Sequence, residues 1–273
     1  MNSRAKSRFA DVDAVARYFG LTALTISAIG PLVLLVLWSA SGEWFFPALM
    51  PQRWSPDGWG WLFQSGDRVA VAVRNSVLLG IADGFIGCAI AFPIGRAISR
   101  LTGWRRYMAA AAVFSPVAAP PIALGIGIQY FLLRIGVGGT AVGVLLAHLV
   151  PTVGYLSLYF LSVFVVFDSK IEDEARTLGA TSRQVLFYVT LPMMRRQVTE
   201  AVAIGFLISW AQYALTLTVG GGTVHTLPLE VFSYMRAGSG NFAASAALVM
   251  IVPPILALAA ARYAAGRTVV SPV

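Results

Sequence analysis

Charge is scarce in this sequence, and cysteine and histidine are scarcer still. Only 12% of its 273 residues are charged, whereas 58% are hydrophobic and the mean hydropathy is +0.75. Soluble domains carry roughly 25% charged residues, so this composition points to lipid as the main solvent. Cys88 is the only cysteine, which excludes a disulfide framework and a cysteine-based metal site. The two histidines, His148 and His225, lie far apart without carboxylate companions, which disfavours a membrane enzyme.

Lysine is nearly absent, and its two positions exclude one activity. A phosphate-binding loop of the form G-x4-G-K-[ST] needs a lysine directly after a glycine. Lys6 follows Ala5 and Lys170 follows Ser169. The chain is therefore not expected to hydrolyse ATP. We expect it to be non-catalytic, without a metal or cofactor of its own.

Long hydrophobic runs dominate what is present. Crossing a hydrocarbon core of about 30 Å takes about 20 residues, and backbone groups in lipid must pair within a helix. Six stretches qualify, at 19–40, 69–95, 108–133, 140–166, 198–219 and 243–264. The sequence thus predicts an all-α integral membrane protein of six transmembrane helices. Its predicted parts are a cytoplasmic N-terminal segment (1–18), one transmembrane domain (19–267) and a C-terminal tail (268–273).

The basic residues indicate the orientation of these helices. Fifteen of the 20 lysines and arginines fall in the two termini and the loops after the second and fourth spans, and five fall on the opposite side. The richer side is expected to be cytoplasmic, which places both termini inside. The net charge of +8 then reflects topology and contact with membrane lipid, so no nucleic-acid partner is expected.

The predicted cytoplasmic loop 168–192 carries a sequence of helix signals. Ser169 and Glu172 form a capping-box pattern that starts a helix, and Gly179 suits the left-handed residue that ends it. Thr181 or Ser182 caps a second helix. Pro192 is expected to end or redirect that helix. Three carboxylates fill the first turn: Glu172, Asp173 and Glu174. An exposed helix–glycine–helix elbow is predicted.

In this elbow the sequence resembles the permeases of binding-protein-dependent type I ABC importers, which share the motif E-A-A-x3-G-x9-I-x-L-P. Gly179 and the Leu191-Pro192 pair fall in register, and Val189 stands at the isoleucine position. Weaker similarity to the spermidine/putrescine–iron–thiamine-like branch runs over most of the chain, at Asn75-Ser76, Ser209-Trp210 and Thr226-Leu227-Pro228. The resemblance assigns ATPase docking to Asp173 and Glu174, which depart from the motif, and to Ala175, Leu178, Gly179, Ala180, Leu191 and Pro192.

The resemblance also implies partners and a location. The elbow becomes a coupling helix that docks on a dimer of ATPase subunits, which bind ATP and magnesium. A second permease, homologous to this one, completes the path, and a periplasmic or extracellular binding protein delivers a small, polar, organic solute. The location implied is the bacterial inner membrane. The alternative is a stand-alone secondary transporter or channel, which inverted repeats would favour, and none is evident.

Polar residues inside predicted spans are candidates for the solute path. Placing the charged side chain of Asp83, in the second span, in lipid costs free energy. Asp83 is therefore expected either to face the solute path or to form an ion pair or a hydrogen bond with a neighbouring helix. The fifth span carries Ser209, Trp210, Gln212, Tyr213 and Thr216, which bind either solute or adjacent helices. On a continuous helix, Ser209 and Tyr213 share one face, as do Gln212 and Thr216.

Two positions in the fifth span bear on the charge of the solute. Permeases that resemble the spermidine/putrescine branch often have acidic residues two and three positions after the serine. Ala211 and Gln212 stand there instead. We therefore expect an uncharged, zwitterionic or anionic solute rather than a polyamine.

Overall fold

The structure has four helices that could cross a membrane, or six spans if each of two bent helix pairs counts as one, and they coincide with the six predicted stretches. In the computed structural model, which describes residues 3–45, 47–64 and 66–266, the helices long and apolar enough to cross a membrane lie in α1 (Ser3–Ser39), α3 (Gly66–Ser99), α6 (Ala141–Val166) and α13 (Gly240–Gly266). A short helix, α2 (Asp57–Gln64), precedes α3. Arg267 and the predicted tail, 268–273, lie outside the described residues.

The third and fifth spans are each bent, so these two predictions of a single helix are corrected. The third consists of α4 (Trp104–Ala118) and α5 (Pro121–Arg134), which meet at 93°. Pro120 and Pro121 explain the bend, because proline cannot donate the backbone hydrogen bond that a continuous helix needs. The fifth consists of α10 (Arg195–Trp210) and α11 (Ala214–Gly220), which meet at 64° across three residues that include no proline or glycine.

Between α6 and α10 the chain forms the elbow from several short elements. They are α7 (Lys170–Thr177), α8 (Ser182–Gln184), a π-helical turn (Val185–Thr190) and α9 (Leu191–Met193). Beyond α11, the helix α12 (Leu227–Arg236) leads towards α13. The strands β1 (Ser41–Glu43) and β2 (Arg53–Trp54) pair antiparallel between α1 and α2.

The chain divides into two compact units. The smaller contains Met1–Gly66 and Ser233–Leu248. Its aromatic residues pack closely: the Trp61 ring stacks on Phe242 at 4.8 Å and meets Tyr234 edge-on at 4.8 Å. The larger unit contains Asp67–Phe232 and Val249–Val273 and holds the polar residues discussed below.

Glycines let α3 and α10 approach closely inside the larger unit. A Cβ atom added at Gly84 would lie 2.5 Å from the carbonyl oxygen of Val202, and one at Gly205 would lie 2.8 Å from the Cα of Gly84. Small residues allow this backbone contact between membrane helices. Asp83 directly precedes Gly84 in α3 and is fully buried.

Candidate functional site

The elbow has the helix–glycine–helix shape that its sequence predicts. Helix α7 ends at Thr177, and Gly179 adopts a left-handed conformation with φ of +91°. Thr181 then caps α8 through a reciprocal capping box with Gln184: the Thr181 hydroxyl accepts from the Gln184 backbone, and the Gln184 side chain accepts from the Thr181 backbone. The predicted glycine conformation and the second cap are thereby confirmed.

The start of α7 differs from the prediction. Ser169 makes no capping bond from its side chain, and Asp168 Oδ1 instead accepts from the backbone N–H of Lys170 at 3.0 Å. Glu172 is also not one of the exposed carboxylates, because it is only 2% exposed. The predicted Ser169–Glu172 capping box is therefore wrong: Glu172 has stronger partners inside the protein.

Glu172 joins three elements at one end of the larger unit. Its Oε2 accepts from Arg96 Nη2 of α3 at 2.6 Å, and its Oε1 accepts from Thr190 Oγ1 of the π-helical turn at 2.6 Å. Arg176 and Arg100 lie farther from Oε2, at 3.8 and 4.0 Å. A buried carboxylate needs such charge-assisted bonds, since isolated burial of a charge is costly. This Arg96–Glu172–Thr190 cluster fastens the elbow to the end of the second span.

The π-helical turn carries the chain from the elbow towards the fifth span. Pro192 has no N–H to give to the carbonyl of Tyr188, and its ring would clash with that carbonyl in an ideal α-helix. The wider turn at Val185–Thr190 relieves both problems. Helical structure continues through Pro192 to Met193, and the buried Met194 separates it from α10. The interruption of the helix thus comes two residues later than predicted.

The residues assigned to docking lie mostly on the outside of the elbow. Leu178 at its apex is 89% exposed, among the most exposed of the large apolar side chains. Asp173, Glu174, Gly179 and Pro192 are exposed. The remaining members of the set, Ala175, Ala180 and Leu191, are half-buried. No contact with a partner tests their assignment, which stays a prediction.

His148 of α6 is bonded on both sides of the break in the fifth span. Its Nδ1 lies 2.9 Å from Ser209 Oγ near the end of α10, and its Nε2 lies 2.9 Å from Thr216 Oγ1 in α11. All three side chains are at most 4% exposed. His148 is therefore an interhelical hydrogen-bonding residue. Among the described residues, no group of three or more histidine, cysteine, aspartate or glutamate side chains could hold a metal ion.

Asp83 is fully buried next to the glycine contact of α3 and α10. Its Oδ2 accepts from Thr152 Oγ1 of α6 at 2.6 Å, whereas its Oδ1 has no hydrogen-bond partner within the described part of the chain. The hydrogen bond to a neighbouring helix, one of the two alternatives left open by the sequence, is present, and the assignment of Asp83 to the solute path stays a prediction. Thr152 and His148 are one turn apart on α6, so this face presents polar groups to both α3 and the fifth span.

The other polar residues of the fifth span are divided by the break. Gln212 and Tyr213 lie in the break itself and are half-buried, and Ala211 beside them is exposed. Ser209 and Tyr213 therefore do not share the continuous helix face that was predicted. Trp210 is 3% exposed, stacks on Phe206 and donates to the carbonyl of Met250 at 3.1 Å, and its assignment to the solute path stays a prediction.

A second buried charge cluster lies at the opposite end of α3 from Arg96. Glu230 of α12 is 1% exposed, and its Oε1 accepts from Arg68 at 3.1 Å and lies 2.9 Å from His225 Nδ1. Asn75 donates to the carbonyl of His225, and the Ser76 hydroxyl accepts from the backbone of Leu227. Sequence reasoning did not single out Glu230. The sequence did mark this place indirectly: Asn75-Ser76 and Thr226-Leu227-Pro228, two segments that resemble the permease branch, meet here.

Known proteins share this architecture. The solved structure of a bacterial ABC transporter involved in the import of the acidic polysaccharide alginate has a chain that matches 97% of this one over 100% of its own length, with a TM-score of 0.71 at 15% identity. A second structure, a bacterial alginate ABC transporter in complex with an alginate pentasaccharide-bound periplasmic protein, matches 97% of this chain over 99% of its own, with a TM-score of 0.70 at 15% identity. At this identity the match establishes the fold alone, that of an ABC transporter membrane subunit.

Sequence comparison supplies the family. The inner membrane ABC transporter permease protein YnjC of Escherichia coli is 27% identical over 188 residues, which are 69% of this chain and 35% of YnjC, so the chain spans about a third of that relative. The spermidine/putrescine permease protein PotC of Haemophilus influenzae is 23% identical over 206 residues, 73% of this chain and 78% of PotC. A family model matches residues 86–270, which include the elbow and both halves of the fifth span. The chain belongs to the family of binding-protein-dependent transport system inner membrane components.

Proposed function

We propose that this chain is the permease of an ATP-driven importer in the bacterial inner membrane and that the elbow couples it to separate ATPase subunits. The observation that carries the proposal is an exposed elbow with a rigid attachment. Leu178 projects from its apex at 89% exposure, while Glu172 at its base is buried between Arg96 and Thr190. An exposed apolar apex favours a docking contact, and a fixed base lets a push on the apex reach the second span.

ATP and magnesium are bound by the partner in this proposal. The chain has no lysine after a glycine and hence no loop of the required kind for phosphate. It performs no covalent chemistry. Its part in the cycle is mechanical: closure of the ATPase dimer moves the elbow, and the membrane helices alternate between inward-open and outward-open arrangements.

The break in the fifth span supports the proposal that this span lines the solute path. Unwound backbone at membrane depth is tolerated only where protein buries it or a water-filled cavity faces it. Ala211 in the break is exposed in the isolated chain. A second permease, homologous to this one, and an aqueous path between the two chains account for that exposure. A periplasmic binding protein then delivers the solute to this path.

Purification from the native membrane tests these partners. The tagged chain is extracted in mild detergent, and bound proteins are identified by mass spectrometry. We expect an ATPase subunit and a second permease. Recovery of the chain alone from several detergents would contradict the proposal and favour a stand-alone secondary transporter or channel.

The charge of the fifth span predicts the class of solute. Gln212 and Tyr213 in the break carry no charge, and Asp83 is fully buried and bonded to Thr152. Glu200, nearer the start of α10, is 39% exposed but is paired with Arg196 at 2.9 Å. Two ammonium groups would thus find no carboxylate in the break and no unpaired one at Glu200. We propose that the solute is a small, polar, organic molecule that is uncharged, zwitterionic or anionic.

Uptake measurements check this prediction. The complex is reconstituted in liposomes with its binding protein, and uptake of radiolabelled spermidine is measured with and without ATP. We expect no ATP-dependent, saturable uptake, and a reconstituted polyamine importer serves as the positive control. Saturable spermidine uptake that unlabelled polyamine competes away would contradict the prediction.

A further inference from the structure

The fifth span is broken at a place where its own sequence contains no helix-breaking residue. Three residues, Ala211–Tyr213, separate α10 from α11, and neither proline nor glycine interrupts the helix there. Continuous helix would be the default for such a segment, because helix formation adds one hydrogen bond per residue. Some interaction from elsewhere in the fold must therefore favour the bend.

His148 supplies that interaction through one directed chain of hydrogen bonds. The Thr216 hydroxyl donates to the carbonyl oxygen of Gln212 at 2.9 Å, so its oxygen is left to accept from His148 Nε2. With Nε2 as the donor, Nδ1 of a neutral imidazole is an acceptor, and it accepts from the hydroxyl of Ser209. The tautomer follows from this network.

This chain of bonds spans the break from one side to the other. It begins at Ser209 near the end of α10, passes through His148 and Thr216, and ends on the carbonyl of Gln212 in the break. A carbonyl that has lost its helical hydrogen bond and is shielded from water raises the free energy of the fold unless it finds another donor, and Thr216 supplies that donor to the half-buried Gln212. Every donor and acceptor that the imidazole offers is used, and each bond fixes one side of the bend.

We propose that His148 is a positioning residue for translocation: it holds the 64° bend in the fifth span and thereby keeps Ala211–Tyr213 unwound. The inference requires the permease role but not the ATPase docking of the elbow. It gives His148 a function that differs from interhelical packing alone, because the geometry of a neighbouring span depends on both of its ring nitrogens.

The bend can be measured as a distance between two spin labels. Cys88 is the only native cysteine, so Cys88→Ser gives a cysteine-free background. Nitroxides are attached at Arg195→Cys and Leu217→Cys, exposed positions on α10 and α11, in the full chain purified as its complex. The labelled positions lie about 22 and 5 Å from the break along the two helices, so complete straightening would lengthen the distance between them by about 2 Å.

His148→Leu is expected to lengthen the mean label distance by up to about 2 Å or to broaden its distribution. Thr216→Val and Ser209→Ala each remove one hydrogen bond to His148 with little change in volume. We expect both to shift the label distance in the same direction, so the proposal can still be tested if His148→Leu does not fold. His148→Gln places an amide nitrogen where Nε2 lies and is expected to restore the parent distribution.

Ser157→Ala is the matched control. Ser157 also lies on α6 and is fully buried, but its hydroxyl has no hydrogen-bond partner within the described residues. We expect Ser157→Ala to leave the distance unchanged. Parent-like distributions in both His148→Leu and Thr216→Val would overturn the proposal. So would a Ser157→Ala shift as large as that of His148→Leu, or a His148→Gln variant displaced as far as the leucine variant.

Discussion

Replacing Glu172 with alanine is expected to release the elbow from the second span and to abolish ATP-driven transport. The carboxylate accepts hydrogen bonds from both Arg96 and Thr190, each at 2.6 Å. Removing one partner of a buried ion pair costs about 3–5 kcal/mol. Arg96 keeps some contact with water at 19% exposure, so we expect the lower end of that range.

Hydrogen exchange of the elbow amides measures this release directly. In the purified complex, Glu172→Ala and Arg96→Ala are both expected to raise exchange rates across residues 170–190 by at least tenfold. Uptake in reconstituted liposomes should fall in parallel, because a loose elbow no longer transmits motion to α3.

Arg100→Ala is the matched control for Arg96→Ala. Both arginines lie at the same end of α3 and face Glu172, but Arg100 is 4.0 Å away and 63% exposed. Exposed pairs contribute about 0–1 kcal/mol, so little change in exchange is expected. Equal effects of Arg96→Ala and Arg100→Ala would show that net positive charge, rather than the buried bond, holds the elbow.

Gly179→Asp is expected to reduce both ATPase co-purification and uptake more than tenfold while leaving membrane insertion intact. The φ of +91° at this position strains any residue with a Cβ atom, at a cost of about 1–3 kcal/mol. An added Cβ would meet no atom within 4 Å, so the bundle has room for the side chain. The damage is therefore confined to the shape and charge of the elbow surface.

Gly136→Asp separates that surface effect from backbone strain. Gly136 has a φ of +76°, and an added Cβ there would also meet nothing within 4 Å, but it lies in the loop between α5 and α6. We expect Gly136→Asp to insert, bind the ATPase and transport normally. Normal transport by Gly179→Asp, or equal loss in the two variants, would remove the coupling role of the elbow.

The elbow was largely predictable because its signals are local. A glycine with a left-handed backbone and a threonine that caps the next helix act within a few residues, and both are observed at Gly179 and Thr181. The cap predicted at Ser169 failed because Glu172 bonds to Arg96, 76 residues away in sequence. A local pattern cannot show that a distant arginine competes for the same carboxylate.

Helix breaks in the membrane-spanning helices likewise depend on more than local sequence. Pro93 and Pro151 lie inside the continuous helices α3 and α6. The fifth span instead breaks at Ala211–Tyr213, where no breaking residue stands. Proline and glycine destabilise a helix only locally. Contacts with neighbouring helices decide whether the helix actually bends, and in the fifth span the hydrogen bonds of His148 favour the bend.

The sequence by itself determined the membrane class, the approximate spans, the exclusion of an ATP-binding loop and the position of the elbow. Each depends on composition or on residues close together in the chain, where solvent preference and backbone conformation act directly. Only the tertiary structure decided which polar residues meet. Asp83 with Thr152, Glu172 with Arg96 and His148 with Thr216 are between 68 and 76 residues apart. Their pairing depends on how the helices pack, because a buried polar group takes its partner from whichever helix lies beside it.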